Sequence, residues 1–366
     1  MRTRTPCHAI TRRRLSLAAA LACLLPAAQA QVFGSLANFD AVNDTGSIAH
    51  GFEIRIDDAS INRSSLYSVF GLDRNFGVPP TSVERYGAPT ITELPGVGLT
   101  VRYAASFANG AWSVGTPTGP YPNAGDSCWP LGNAQYASGT LTCDHFGIAT
   151  YGTPAKVSYA WLVDSAGNSG QLTAVTAAIP AVAFAYVPPA PGPVPVQRAL
   201  VAEIEAHKAE NEVFGTAYWV KAHTRHLDHN VELGNLMRGH ADVPGDDPAE
   251  VEVEWEVFQA GEANGNKRLD LALNPGDAGL VLRYEFYKYQ GEFSAAGEAL
   301  CGRRNHGGGG STPDDCGGLG AYVGAQMAGF NAVQPALAPV PEPQTWALML
   351  AGLVGIGRLA QRRRAG

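Results

Sequence analysis

Val251-Glu252-Val253-Glu254-Trp255-Glu256-Val257 sets four apolar side chains against three glutamates in strict alternation. A period of two puts alternate residues on opposite faces of an extended strand, so this run predicts a β-strand with one apolar and one solvated face. The same pattern recurs outward along the chain. Leu280, Leu282, Tyr284 and Phe286 alternate after an Asn274-Pro275-Gly276-Asp277 turn, and Phe214 to Thr224 is a further strand candidate. Nearer the N-terminus, Phe52, Ile54 and Ile56 alternate with Glu53, Arg55 and Asp57. Val97 to Ala105 and Val157 to Val163 are apolar runs bounded by turn residues, the latter followed by Ser165-Ala166-Gly167-Asn168. No long stretch between the two ends carries a capped 3.6-residue apolar period. With 43 Gly, 25 Pro and only 16% charged residues, the composition also favours a turn-rich β protein.

A Pro-rich stretch, Val187-Pro188-Pro189-Ala190-Pro191-Gly192-Pro193-Val194-Pro195, reads as a stiff linker. The expected organisation is therefore mainly β, with two fibronectin- or immunoglobulin-like sandwiches in tandem. The first spans residues 31–187 and the second 196–330, joined by 188–195. No Cys-Trp-Cys immunoglobulin spacing is present. A Gly-rich region, Gly302 to Gly320, is expected to form a loop in the second module, and residues 331–340 a stalk.

Both ends read as addresses. Arg2, Arg4, Arg12, Arg13 and Arg14 precede an apolar stretch from Leu15 to Pro26, then Ala28-Gln29-Ala30. Basic flank, short apolar core and small residues at Ala28 and Ala30 are the parts of a signal peptide, so residues 1–30 are expected to leave by cleavage before Gln31. At the other end, Pro341-Glu342-Pro343 precedes an apolar segment, Trp346 to Ile356, then Arg358 and Arg362-Arg363-Arg364. A helix from Thr345 to Ala360 would be about 24 Å long, short of the ~30 Å hydrocarbon core. Snorkelling of Arg358 and slight bilayer thinning would let it span, with the arginines cytoplasmic.

Residues 341–366 resemble the PEP-CTERM sorting signal: the tripeptide Pro341-Glu342-Pro343, a Gly-containing apolar helix (Gly352, Gly355, Gly357) and the terminal arginines Arg362, Arg363 and Arg364. Arg358 interrupts the span earlier than the family's usual pattern. The resemblance implies recognition and processing by the membrane enzyme exosortase, with transient or permanent inner-membrane anchoring. It further implies a Gram-negative bacterium that secretes exopolysaccharide, and a destination at the cell surface or in the extracellular matrix. The resemblance transfers an address and not an activity.

The ends hold nine of the 26 basic residues but one of the 33 acids, so residues 31–340 carry 17 basic and 32 acidic side chains, a net of −15. Such a surface repels nucleic acid and excludes that class of partner. Cys7 and Cys23 fall within the signal peptide, leaving Cys128, Cys143, Cys301 and Cys316. Four cysteines allow three connectivities. The local one, Cys128–Cys143 and Cys301–Cys316, is favoured because short loops cost least to close. C-x-x-C metal spacing is absent.

Candidate chemistry is sparse. His223, His226, Asp228 and His229 lie within seven residues and offer zinc or copper ligands. On a strand, however, His226 would point away from His223 and His229, so exposed loop histidines are the favoured reading. Asp57-Asp58, Asp246-Asp247, Asp314-Asp315 and the three strand glutamates supply carboxylates, with solvation favoured over the paired acids of a glycosidase. No G-x-S-x-G, H-E-x-x-H or phosphate-loop motif occurs, and Gly307 to Gly310 lack the required Lys. Trp112, Trp129, Trp161, Trp219 and Trp255 would stack on sugars if exposed, Trp129 first among them. The sequence thus points to a structural or adhesive matrix protein without cofactor or catalytic residues. Signal peptidase and exosortase are its export partners, and exopolysaccharide or other matrix proteins its expected contacts. Carbohydrate binding is the alternative, and a metal-dependent hydrolase built on the histidines a weaker one.

Overall fold

A computed structural model describes residues 31–33, 36–72, 85–121, 128, 140–152, 154–165, 168–187, 199–205, 213–231, 251–261, 268–272, 276–301 and 312–331. The expected signal peptide, the linker 188–195, residues 302–311 and 332–340, and the sorting tail lie outside these residues, as do Trp129 and Asp246-Asp247. The end of the expected Gly-rich loop is instead a 3-10 turn and the start of a strand that runs to Asn331, the first residue of the expected stalk. The described chain is mainly β, with short 3-10 turns at Arg63–Ser65 and Pro313–Cys316.

The strands in chain order are β1 (Gln31–Phe33), β2 (Leu36–Val42), β3 (Ala49–Ile56), β4 (Leu66–Val69), β5 (Thr90–Leu94), β6 (Gly98–Ala104), β7 (Phe107–Ala108), β8 (Ala111–Trp112) and β9 (Cys143–Thr150). They continue with β10 (Val157–Ser165), β11 (Asn168–Thr176), β12 (Ala181–Val187), β13 (Ala199–Glu205), β14 (Phe214–Leu227), β15 (Glu252–Gly261), β16 (Arg268–Ala272), β17 (Gly279–Tyr289) and β18 (Leu319–Asn331). An eight-stranded sheet runs β15-β14-β17-β18-β2-β9-β4, with β1 also on β18. A five-stranded sheet runs β11-β10-β3-β6-β5. A smaller sheet orders β12-β13-β16, and β7 pairs with β8.

This connectivity corrects the tandem arrangement. Strands β2, β4 and β9 from the expected first module share a sheet with β14, β15, β17 and β18 from the second. The seam is the antiparallel contact of β18 with β2, where Gly324 faces Ala41 and Ala325 faces Asp40. Residues Ala30–Ala332 accordingly form one compact unit. The Pro-rich stretch is not an interdomain spacer either: it joins β12 to β13, which pair in unbroken register from Ala181↔Glu205 to Val187↔Ala199. Composition shows where a chain cannot be a strand interior, but not whether the strands on either side hydrogen-bond to each other.

The two large sheets bury facing side chains against each other. From β3, Phe52, Ile54 and Ile56 are fully buried, as the alternation predicts. Phe52 stacks on Phe146 of β9, with ring centroids 4.4 Å apart. The polar edges of the core aromatics find partners across the layer. Trp161 Nε1 donates to the Val42 carbonyl at 3.1 Å, and the Tyr159 hydroxyl donates to Gln326 Oε1 at 3.0 Å. Burial pushes the Tyr159 hydroxyl pKa far up, so it stays protonated and acts as a donor. A second polar tie holds β9: Arg85 Nε lies 3.4 Å from Asp144 Oδ1, while Tyr86 and Thr116 hydroxyls donate to Asp144 Oδ2. Such buried polar groups are tolerated because each has a hydrogen-bonding partner.

Candidate functional site

The opposite face of the eight-stranded sheet carries most of the molecule's unusual chemistry. Backbone register lines up Lys221 (β14), Glu285 (β17), Ala325 (β18), Asp40 (β2) and His145 (β9) across five strands. One step along, His223 faces Arg283. Cross-strand neighbours stand close enough for their side chains to interact. Arg283 Nη2 is 2.6 Å from Glu285 Oε1, and the Tyr287 hydroxyl donates to Glu285 Oε2 at 2.7 Å. His223 Nε2 stands 3.5 Å from Glu285 Oε1. Across Ala325, His145 Nδ1 donates to Asp40 Oδ1 at 2.6 Å.

Burial of Glu285 would by itself raise its pKa, but His223, Arg283 and Tyr287 outweigh that and hold it down to about 2. Burial likewise opposes the charge on Arg283, and the Glu285 carboxylate overcomes it and raises the guanidinium's pKa. The Tyr322 hydroxyl is driven well up by burial, then by the negative charges of Asp40 and Glu285. Two acids, a guanidinium and two imidazoles are groups that elsewhere perform proton transfer. Here His223 is 0%, Glu285 1%, His145 3% and Asp40 4% exposed, so a solute has no direct approach to them. Their arrangement fixes strands to one another.

An open cavity lies beside the second disulfide. It measures about 320 Å³ and is lined by Tyr289, Gln290, Gly291, Glu292, Leu300, Cys301, Asp315, Cys316 and Gly317. The disulfide, Leu300 and Tyr289 contribute apolar surface, and Gln290, Glu292 and Asp315 supply polar groups. The Tyr289 hydroxyl accepts from the Cys301 amide and donates to the Glu292 carbonyl, fixing the ring as a wall. Asp315 Oδ2 accepts from the Thr312 amide and hydroxyl, which lower its pKa and keep it charged. Phe293, 48% exposed, packs edge-on against Tyr289.

The sequence candidates are dispersed. His223 and His226 both lie on β14, three positions apart and therefore on opposite faces. His226 Nδ1 donates to Asp277 Oδ2 at 2.7 Å, and exposed His229 pairs with its neighbour Asp228 at 2.9 Å. Among the described residues no group of three or more His, Cys, Asp or Glu side chains is gathered as a metal would need. The hydrolase reading that required His223, His226 and His229 to converge is overturned by this strand geometry. Trp161 and Trp219 are fully buried. Trp112 is half-buried, stacked on His50 with centroids 4.8 Å apart, and Trp255 is half-buried against Trp219 and Tyr287. Glu252 and Glu254 are exposed and Glu256 half-buried. Cys128 joins Cys143, and Cys301 joins Cys316, each pair with Cα atoms 5.8 Å apart. Sequence reasoning missed the Asp40–His145 and Arg283–Glu285 pairs. Register between β2 and β9 brings Asp40 to His145, whereas Arg283 and Glu285 are two residues apart on one face of β17, sitting between its core residues.

Fold and site together define a strand-built, disulfide-stapled protein in which Asp40, His145, His223 and Glu285 are buried. Among the described residues no helix is long and apolar enough to cross a membrane. A family model for the PEP-CTERM protein-sorting motif matches residues 339–364, so the chain carries that sorting motif at its C-terminal end. No curated protein and no solved structure matches the chain.

Proposed function

We propose that this is an exported, exosortase-processed protein that works at the cell surface or in a biofilm and exopolysaccharide matrix as a structural or adhesive component, not as a catalyst. The observation that carries the reading is the sorting motif at residues 339–364, attached to a mainly β body. The sealed acid–base residues support it, because such groups need access to substrate to act. The two disulfides support it too, since they persist in oxidising compartments. The test is fractionation of a Gram-negative host with and without its exosortase. The reading requires surface or matrix material that fails to mature when exosortase is deleted, and biofilm cohesion that falls when this chain is deleted. Retention in the cytoplasm, or unchanged cohesion, would count against it.

The disulfide-walled cavity favours a second reading, carbohydrate binding. Its volume suits one or two sugar rings, and among its lining residues Gln290, Glu292 and Asp315 are groups that hydrogen-bond hydroxyls. The discriminating experiment is retention on the host's own polysaccharide, compared with a Glu292→Gln/Asp315→Asn variant. Equal retention of the two proteins would remove the cavity from consideration.

A further inference from the structure

Besides the three-residue β1, the two large sheets have four outer strands, and three of them are guarded. Edge strands invite pairing with another chain unless they are short, charged or covered. On β15, Glu252 and Glu254 are exposed and Glu256 half-buried. Strand β4 has four residues. Strand β5 has five, and its Glu93 accepts the Arg63 amide at 2.8 Å, tying the adjoining turn to it. Strand β11 differs. It runs nine residues, Asn-Ser-Gly-Gln-Leu-Thr-Ala-Val-Thr, without a charge or a proline. It pairs with β10 on one side, from Ala160↔Thr176 to Ser165↔Asn168, and no described strand pairs with its other side. Gln171, Thr173, Ala174 and Thr176 are exposed. Of the other uncharged outer strands among the described residues, β1, β7 and β8 have two or three residues each, and β12 of the small sheet lies against β10 and β1.

We propose that β11 pairs edge to edge, antiparallel, with β11 of a second copy of this chain, joining two five-stranded sheets across a twofold axis. The occupant follows from charge. Residues 31–340 carry a net of −15, so two copies repel over most of their surfaces. Strand β11 is an uncharged strip on that acidic body, and antiparallel self-pairing there sets no like charges opposite each other. It brings threonines into cross-strand reach, a favourable pairing. A twofold contact of one strip with itself also closes, giving a dimer. A tail that delivers many copies to one surface raises their effective concentration and strengthens a contact that is weak in dilute solution.

The experiment uses the exported full chain with single cysteines at Gln171, Thr173, Ala174 or Thr176, under mild oxidation. In an antiparallel pair, opposed Cα atoms stand about 4.5–5.5 Å apart, within disulfide range. Covalent dimer is expected to peak at the position nearest the twofold and to fall at positions two residues away. Sedimentation equilibrium is the second arm. Thr173→Lys, which sets like charges near the axis, is expected to weaken the dimer by about tenfold or more, whereas Glu254→Lys on β15 leaves it unchanged. Thermal unfolding of both variants separates lost association from lost fold. Monomer at every concentration tested, no positional peak in cross-linking, or a dimer indifferent to Thr173→Lys would each overturn the proposal. Association through the sorting tail would survive Thr173→Lys and so counts as refutation.

Discussion

Replacing Glu285 by Gln removes the carboxylate on which Arg283, His223 and Tyr287 converge, while keeping side-chain size and one carbonyl acceptor. The folded protein holds this carboxyl at about 2, against an ordinary value of 4.5. By linkage that gap corresponds to about 3 kcal/mol of stability. Because the folded pKa is depressed, the contribution is complete above pH 4.5 and disappears as pH falls through about 2. Glu285→Gln should therefore lose about 3 kcal/mol at neutral pH, since Arg283 stays buried without its counter-charge. With an unfolding entropy of about 2.1 cal/mol/K per residue over about 300 residues, the melting temperature should fall by about 5 °C. Thermal and urea unfolding of both proteins, repeated from pH 7 down to pH 2, reads the effect. The difference between them should be full at pH 7 and shrink between pH 4.5 and 2. A difference below about 0.5 kcal/mol at pH 7, or one that stays constant with pH, refutes the argument.

Gly324 has φ 157°, and a Cβ there would overlap the Asp40 carbonyl, so Gly324→Ala should force β18 from β2 and cost well over 1 kcal/mol in urea unfolding, whereas Gly276→Ala, whose Cβ meets nothing within 4 Å, should cost only its backbone strain. Cys143→Ser should lower stability by about 3 kcal/mol, the scale for a loop of this length, and non-reducing peptide mapping should show Cys128 newly reactive to alkylation. Trp161→Ala should cost about 3–5 kcal/mol, measured the same way, because the indole is fully buried, packs edge-on against Phe52 and donates to the Val42 carbonyl.

Where side chains alternate with one face in water, the sequence was enough. Strand β3 shows it: Phe52, Ile54 and Ile56 are fully buried, and Arg55 between them is exposed. Strand β17 shows the limit. Leu280, Leu282, Tyr284 and Phe286 are fully buried as the alternation implies, but Val281, Glu285 and Tyr287 on the other face are also nearly inaccessible. A charged residue at a strand position reads as solvated unless its partner is known. Arg283 and Tyr287 flank Glu285 on the same face of β17, but His223 comes from β14, set by a register that no local pattern encodes. The two-module expectation failed for a related reason. Local periodicity assigns strands, whereas sheet membership depends on pairings such as β18 with β2, nearly 300 residues apart in the chain. On β14 period two alone separates His223 from His226. The expectation of exposed loop histidines fails for these two, since both lie on the strand and His223 is fully buried beside Glu285.

The contact between β18 and β2 is narrow, two residue pairs, yet it alone joins the C-terminal strands of the large sheet to β2, β9 and β4. The row of charges crosses it there. Asp40 and His145 sit on one side, Arg283 and Glu285 on the other, and Ala325 between them is small enough to let Asp40 reach Arg283 electrostatically. A slip of one residue at this seam would turn Asp40 toward the face now held by Ala41, into the aromatic core with Phe52 and Phe146. Burying that carboxylate away from His145 and Arg283 would cost several kcal/mol. Two hydrogen-bonded pairs do not by themselves fix a register, but a misplaced buried charge does. The ionic layer thus selects one alignment of the two halves, and the sealed acid–base groups that look catalytic in isolation are better explained by that structural task.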